Sequence, residues 1–287
     1  MHHCSVDCME KVQFPHFGSS SQAAETFYQR KMSVTPCGVV DEVDGTGITY
    51  LFSEQAGKMN SNHMVNILEE TVDKMKEKSD SRHFKLNLDN CAVNKCYLVL
   101  RWVADLLVEG LYDTAEIHFM VAGHTKFGPD RMFGWLTSVV NNSDLFELDD
   151  VAKAVAKARV AYFKANKKEH PYDVVIVDSF SENGKSYFFS DFKEYYDGSY
   201  SEFGTISKLH RLKFEKVDDT PILFAKEFSE DETWTRIDFV TNYDINKGLN
   251  ELEKVALKPA KLADLQKQLK FIPGGVLSYV PPIDVKP

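Results

Sequence analysis

The segment Gly123-His124-Thr125-Lys126-Phe127-Gly128-Pro129-Asp130-Arg131-Met132-Phe133-Gly134 gathers an imidazole, a hydroxyl and a carboxylate just beyond an apolar run, Ile117 to Ala122. An apolar strand that ends in glycine and gives way to a helix opened by Pro-Asp sets polar groups at the edge of a sheet. Asp130 becomes a metal ligand only if it has carboxylate partners. Two acids stand at comparable places. Asp89 follows the alternating Phe84-Lys85-Leu86-Asn87-Leu88, and Asp7 lies in a strand-like stretch from Ser5 to Phe14 that ends at Pro15. Hard carboxylate oxygens are what Mg²⁺ or Mn²⁺ require. The same residues also have an ordinary reading. Asp89-Asn90 is common turn and cap chemistry, Asp130 is a common first-turn acid, and His124 either orients a water or caps the turn.

The elements that must position these acids are legible as periodic patterns. Met32 to Val43 reads as a strand, Asp44-Gly45-Thr46-Gly47 as a turn, and Ile48 to Phe52 as the returning strand. Ser61 or Asn62 can cap a helix to about Lys78, with Met64, Ile67, Leu68, Val72 and Met75 on one face. Cys96 to Val108 reads as a second helix, whose Leu98, Trp102, Val103, Leu106 and Leu107 belong to a core. Glu116 to Ala122 is the next strand, and a helix follows from about Pro129 to Val140. The order β-β-β-α-β-α-β-α is that of the ribonuclease-H-like fold, an α/β class with a mixed sheet flanked by helices, although many α/β proteins begin this way. In that fold three converging acids hold two divalent ions about 4 Å apart, which activate water and stabilise the leaving oxygen of a phosphodiester.

The second half reads differently. Leu148 to Asn166 is a helix with Asp149 and Asp150 in its first turn and Lys164, Lys167 and Lys168 near its end, matching the helix dipole. Tyr172 to Ser179 reads as a short buried strand, Phe180 to Phe203 as loops and short elements, Ile206 to Phe214 and Pro221 to Phe228 as paired strands, and Ala260 to Leu269 as a last helix. The simplest division is a catalytic-type core over residues 1–145 and an appended C-terminal α+β region over 146–287.

The chain has 287 residues, 43% hydrophobic and 27% charged, as expected of a globular protein with a large core. No apolar run is long enough to span a membrane, and Met1-His2-His3-Cys4 does not open like a signal peptide. The net charge of −9 weighs against a nucleic-acid coat, because counterion release needs clustered Lys and Arg; local patches still matter more than the sum. Five cysteines, Cys4, Cys8, Cys37, Cys91 and Cys96, lack a regular framework, so reduced intracellular thiols are expected. Cys4 and Cys8 with His2 and His3 have zinc-type donors, but no second ligand pair at finger spacing follows.

The residues go further than spacing. Leu88-Asp89-Asn90-Cys91-Ala92-Val93-Asn94-Lys95, followed by Gly123-His124-Thr125 and Asp130 to Gly134, resembles a family of transposase-like eukaryotic proteins of mostly unassigned function. Its second acidic motif reads D-N-C-x-G-Q-N-K-N and its third G-H-T-x-x-x-x-D-x-x-F-G. The third matches here in every fixed position. Asp7 with Pro15 fits the family's first acid, and Lys208 to Phe214 and Phe271-Ile272-Pro273 are similar to its C-terminal part. The resemblance implies a ribonuclease-H-like core with Asp7, Asp89 and Asp130 as acid triad and Mg²⁺ or Mn²⁺, two ions in the fullest form, as cofactor. One departure stands out: Val93-Asn94-Lys95-Cys96 replaces Gly-Gln-Asn-Lys-Asn, one residue shorter and without the Gln. Transposase-like proteins usually carry an upstream DNA- or zinc-binding region. A chain that begins almost at its first strand is therefore expected to be a fragment or a repurposed copy.

The leading expectation is a nuclease or strand-transfer core acting on DNA, nuclear if so, with no membrane association and with a homo-oligomer allowed. Asp7, Asp89 and Asp130 hold the ions, and His124 serves the catalytic water. Lys95, Lys126, Arg131 and Asn90 are the nearest candidates to contact substrate. The alternative is a domesticated, catalytically silent binding or scaffold protein that keeps the fold. A single-metal hydrolase built on His124 finds no second histidine at ligand spacing.

Overall fold

The structure, a computed structural model, describes residues 1–18, 22, 24–121, 127–166, 172–177, 190–204, 206–218, 220–240, 242, 248–252, 255–275 and 277, with backbone alone for 161–166 and 172–177. In chain order the first half contains strands β1 (His2–Cys8), β2 (Val12–Phe14), β3 (His16–Phe17), β4 (Met32–Asp41) and β5 (Gly47–Ser53), helix α1 (Ser61–Lys78), strand β6 (His83–Leu88), helix α2 (Tyr97–Val108), strand β7 (Thr114–Phe119) and helix α3 (Gly128–Asn141). The second half contains β8 (Asp144–Leu145), α4 (Leu148–Asn166), β9 (Tyr172–Val177), α5 (Phe192–Tyr195), β10 (Arg211–Val217), β11 (Thr220–Lys226), β12 (Thr235–Ile237) and α6 (Pro259–Gln268).

Among the described residues, ten strands form one mixed sheet in the order β12-β11-β10-β7-β6-β1-β4-β5-β9, with β2 pairing off the path onto β4. β1, β4 and β5 make an antiparallel meander. β6 then pairs parallel to β1, and β7 parallel to β6. These two parallel steps are long connections, and each contains a helix, as parallel pairing demands. Among the described residues, the strands of 146–287 build no separate sheet. They extend the first-half sheet at both edges, β9 parallel to β5 and β10 antiparallel to β7.

Strand alternation gives the sheet two faces and two cores. On one face Cys4 and Val6 of β1, Leu86 and Leu88 of β6, and Ile117 and Phe119 of β7 pack with Leu68, Val72, Trp102 and Leu106 of α1 and α2. On the other, Val34 and Leu51 pack with Leu136 and Val140 of α3, Val151 and Val155 of α4, and Leu265 of α6. α1 starts at Asn60, whose side chain accepts from the backbone N–H of Asn62 and His63. A cap of this kind is worth ~1 kcal/mol.

One expectation is corrected. Cys8 and Cys37 form a disulfide, leaving Cys4, Cys91 and Cys96 as free thiols. The antiparallel register of β1 and β4 sets Cys8 directly opposite Cys37, a pairing across 29 residues that no sequence spacing announces. Disulfides of this kind are rare in reducing compartments. It also takes Cys8 out of any zinc set, and His2 is committed to Tyr112 and Ser79 on the α1–α2 side. No helix among the described residues is long and apolar enough to cross a membrane.

Candidate functional site

Asp7 and Asp89 come from neighbouring parallel strands. Val6 of β1 is registered with Leu88 of β6, and each acid is the residue that follows. Cys4 and Val6 face the α1–α2 core, so the intervening His3, Ser5 and Asp7 face the other way. Lys85, Asn87 and Asp89 share that face by the same alternation. Asn87 donates from Nδ2 to Ser5 Oγ at 3.1 Å, which ties the two strands together beside the acids.

α3 brings the third acid over this face, and two glycines let it come close. Gly38, registered opposite Asp7, lies under the helix: a Cβ there would meet Met132 Cε at 2.1 Å and the Phe133 ring at 3.1 Å. A Cβ on Gly128 would meet Val40 and the Glu42 carboxylate at 2.9 Å. Pro129 pre-sets the first turn, and Asp130 Oδ2 accepts from the Phe127 backbone N–H at 3.1 Å. Asp130 is thus both the acid that closes the N-terminal turn and the one carried toward Asp7.

The charges of Asp89 and Asp130 reach Asp7. Burial lifts the Asp7 carboxyl to about 6, and the nearby Asp89 and Asp130 carboxylates add to the rise, against the lowering by the Cys8 N–H that donates to Asp7 Oδ1 at 2.8 Å. Burial and like-charge neighbours are the two causes that keep a carboxyl protonated. Asp89 Oδ1 accepts from the Cys91 backbone N–H at 3.2 Å and from the Asn94 side-chain amide. Burial and the Asp89 carboxylate push the Cys91 thiol up to about 11, so it is no thiolate at neutral pH. Among the described residues, no group of three or more His, Cys, Asp or Glu side chains is gathered closely enough to hold a metal ion. The acids meet at electrostatic range, each held by its own local hydrogen bonds.

The remaining expected residues divide. His124 and Lys126 lie outside the described residues. Lys95 is only 8% exposed. Its Nζ donates to Asn90 Oδ1 at 2.7 Å and to the Ser207 carbonyl at 2.9 Å, over the Phe119 ring. Burial pulls its ammonium down to about 8. Lys95 and Asn90 therefore bind each other and anchor the turn after β6 to the C-terminal half. Arg131 follows Asp130 on α3 and is exposed, on a cavity of ≈ 230 Å³ that it lines with Glu42, Asp44, Trp135 and Arg159. Cations also continue along the polar face. Lys85 of β6 and Arg211 of β10 both lower the pKa of His118, which burial first of all brings to about 4, so this imidazole is neutral at pH 7. Asn94, which reaches Asp89 from inside the turn, was not singled out by pattern. Its only signal is its place just before Lys95 in the altered second motif.

These features define a mixed α/β protein with three acids at strand and helix ends on one face of its sheet. A family known as a domain of unknown function, DUF7869, matches residues 25–231, well over half of the chain, and the protein belongs to that family. The matched span includes Asp89, Asn94 and Asp130; Asp7 precedes it. No curated protein and no solved structure matches the chain.

Proposed function

We propose that this protein is a transposase-derived nuclease or strand-transfer core of ribonuclease-H-like fold, acting on DNA phosphodiesters with Mg²⁺ or Mn²⁺ held by Asp7, Asp89 and Asp130. The observation that carries the reading is the approach of Asp89 and Asp130, from the end of β6 and the first turn of α3, to the buried Asp7 at the end of β1, whose carboxyl their charges help to raise. Acids that repel one another at the cost of stability are typical of sites built for chemistry. The strand order β5-β4-β1-β6-β7 and the meander that opens it support the fold assignment.

The donor types, though not gathered into a metal-holding group as they stand, are those a hard divalent ion takes: three carboxylates that would draw together around it, with a buried amide oxygen on Asn94 that no hydrogen bond satisfies among the described residues. Such ions, when bound, supply water activation and stabilise the leaving oxygen. The protein's own residues orient the acids: Cys8 N–H holds Asp7, Asn94 holds Asp89, and Phe127 N–H holds Asp130. Arg131, with Lys85 on the same sheet face, offers positive charge for a phosphate backbone, while Arg211 is paired with Glu116.

A second reading, a catalytically silent scaffold that keeps the fold, is favoured by one observation. Lys95 is spent on internal contacts to Asn90 and Ser207 rather than presented to a substrate. Labelled single- and double-stranded DNA incubated with Mn²⁺ or Mg²⁺ separates the two. The nuclease reading expects metal-dependent cleavage that falls at least about 100-fold in Asp89→Ala and in Asp130→Ala. Cleavage that persists unchanged in both variants removes the acid triad as the source of activity, and no cleavage by the parent chain with either metal favours the scaffold.

A further inference from the structure

We propose that Asn94 completes the metal site, orienting Asp89 through its Nδ2 and offering its Oδ1 as a neutral oxygen ligand to the divalent cation. The proposal rests on the reading of Asp7, Asp89 and Asp130 as a metal site and extends it to a residue that reading does not need.

The turn between β6 and α2 is wound tightly. The backbone N–H groups of Asn94 and Lys95 both donate to the Cys91 carbonyl, at 3.1 and 2.8 Å. This folds Asn94 back beneath the acid at the end of β6, where its side chain is 2% exposed. Nδ2 donates to Asp89 Oδ1. The other end of the amide, Oδ1, is buried and has no hydrogen-bond partner among the described residues. Native proteins pair nearly all buried polar atoms, so an orphaned carbonyl oxygen beside an acid cluster needs an explanation.

Turning the amide over does not relieve it. Exchange of the two ends sets Oδ1 against an ionised carboxylate, acceptor facing acceptor, and loses the bond to Asp89. The charge on Asp89 therefore fixes the amide, and the fixed amide leaves its oxygen unsatisfied. Oδ1 shares its amide group with the nitrogen bonded to Asp89, so it lies within a few ångströms of that acid. A hard divalent cation on Asp89 resolves the orphan, because such ions take carboxylate and amide carbonyl oxygens together. A neutral ligand also suits this place. A fourth carboxylate would add to the repulsion that already weighs on Asp7, whereas an amide adds an oxygen and no charge.

The test is Mn²⁺ binding by titration calorimetry in the full chain, comparing the parent with Asp89→Asn, Asn94→Ala and Asn94→Asp, alongside thermal unfolding with and without Mn²⁺. Asp89→Asn is expected to abolish binding, and Asn94→Ala to weaken it by about 10–100-fold, the range found when groups that hold metal ligands are removed. Asn94→Asp keeps an oxygen at the same place. It is expected to bind Mn²⁺ at least as tightly as the parent, to melt lower than the parent without metal, and to gain more from Mn²⁺ on heating. Asn94→Ala binding like the parent, while Asp89→Asn abolishes binding, overturns the proposal and leaves the acid site standing. Asn94→Asp falling as far as Asn94→Ala overturns the ligand role, because orientation through Nδ2 then accounts for everything. A parent chain that takes up no Mn²⁺ removes the acid site and this proposal together.

Discussion

Asp7 carries the clearest physical signature in the molecule. Its carboxyl titrates at about 6 in the folded chain, against an ordinary value of 3.8, because it is buried and faces two other acids. A raised folded pKa means that the native state favours the protonated form. Stability is full below about pH 4 and is lost as pH rises toward 6, and at pH 7 the metal-free protein carries the whole penalty. Asp7→Asn removes the charge and keeps the shape. In EDTA at pH 7.5 the variant is expected to be more stable than the parent by about 1–2 kcal/mol, a figure discounted for the solvent that still reaches the carboxylate. At pH 4 the difference should shrink to nearly nothing. Scanning calorimetry at the two pH values checks this, and a variant less stable than its parent at pH 7.5 contradicts it. Lys95 teaches the converse lesson at this scale. A cation near an acid motif invites a phosphate-binding role, yet its ammonium lies inside the turn and holds residue 207.

Among the elements, α3 does the most to make the site, and its two glycines, of which only Gly134 is a fixed position of the third motif, sit in contrasting surroundings. Gly128 lies where a Cβ would press on Val40 and Glu42, whereas nothing lies within 4 Å of the place a Cβ would take on Gly134. Gly128→Ala is expected to cost about 1–3 kcal/mol by overpacking the seat of the helix, and to weaken Mn²⁺ binding because Asp130 rides on that turn. Gly134→Ala is expected to be neutral or to stabilise by up to about 1 kcal/mol, since alanine is the better helix former. Urea unfolding of both variants tests the contrast, and equal effects would contradict it. Much of the element order was readable from periodicity. The bounds Leu148 to Asn166 of α4 emerge as expected, and the hairpin around Asp44-Gly45-Thr46-Gly47 forms as β4 and β5. What escaped depends on tertiary register. The stretch from Ser5 to Phe14 divides into β1 and β2, which both pair with β4 but one residue out of step, Cys8 facing Cys37 and Val12 facing Val34, and Asn94 reaches Asp89 only once the turn is wound. The cap of α1 falls on Asn60 rather than Ser61 or Asn62, a local choice that propensity alone cannot rank.

For the whole molecule, the two halves are joined by one sheet. β9 covers the β5 edge and β10 covers the β7 edge, so strands from 146–287 close both sides of the sheet that carries the acids. A division at residue 145 follows the order of the elements, while the strands answer to exposed sheet edges, which favour pairing over isolation. The same long-range pairing explains the disulfide between β1 and β4. It lies one residue past Asp7 and straps the strand that carries the first acid to the strand on which α3 rests. Site and scaffold are therefore one construction, and the central claim is that its three acids hold a divalent ion. The direct measurement is a Mn²⁺ titration followed by electron paramagnetic resonance, in which the signal of free Mn²⁺ fades as the ion is bound. The parent chain is expected to bind one or two equivalents, with affinity lost in Asp7→Asn, Asp89→Asn and Asp130→Asn alike. Binding that survives all three substitutions, or no binding by the parent, contradicts the account.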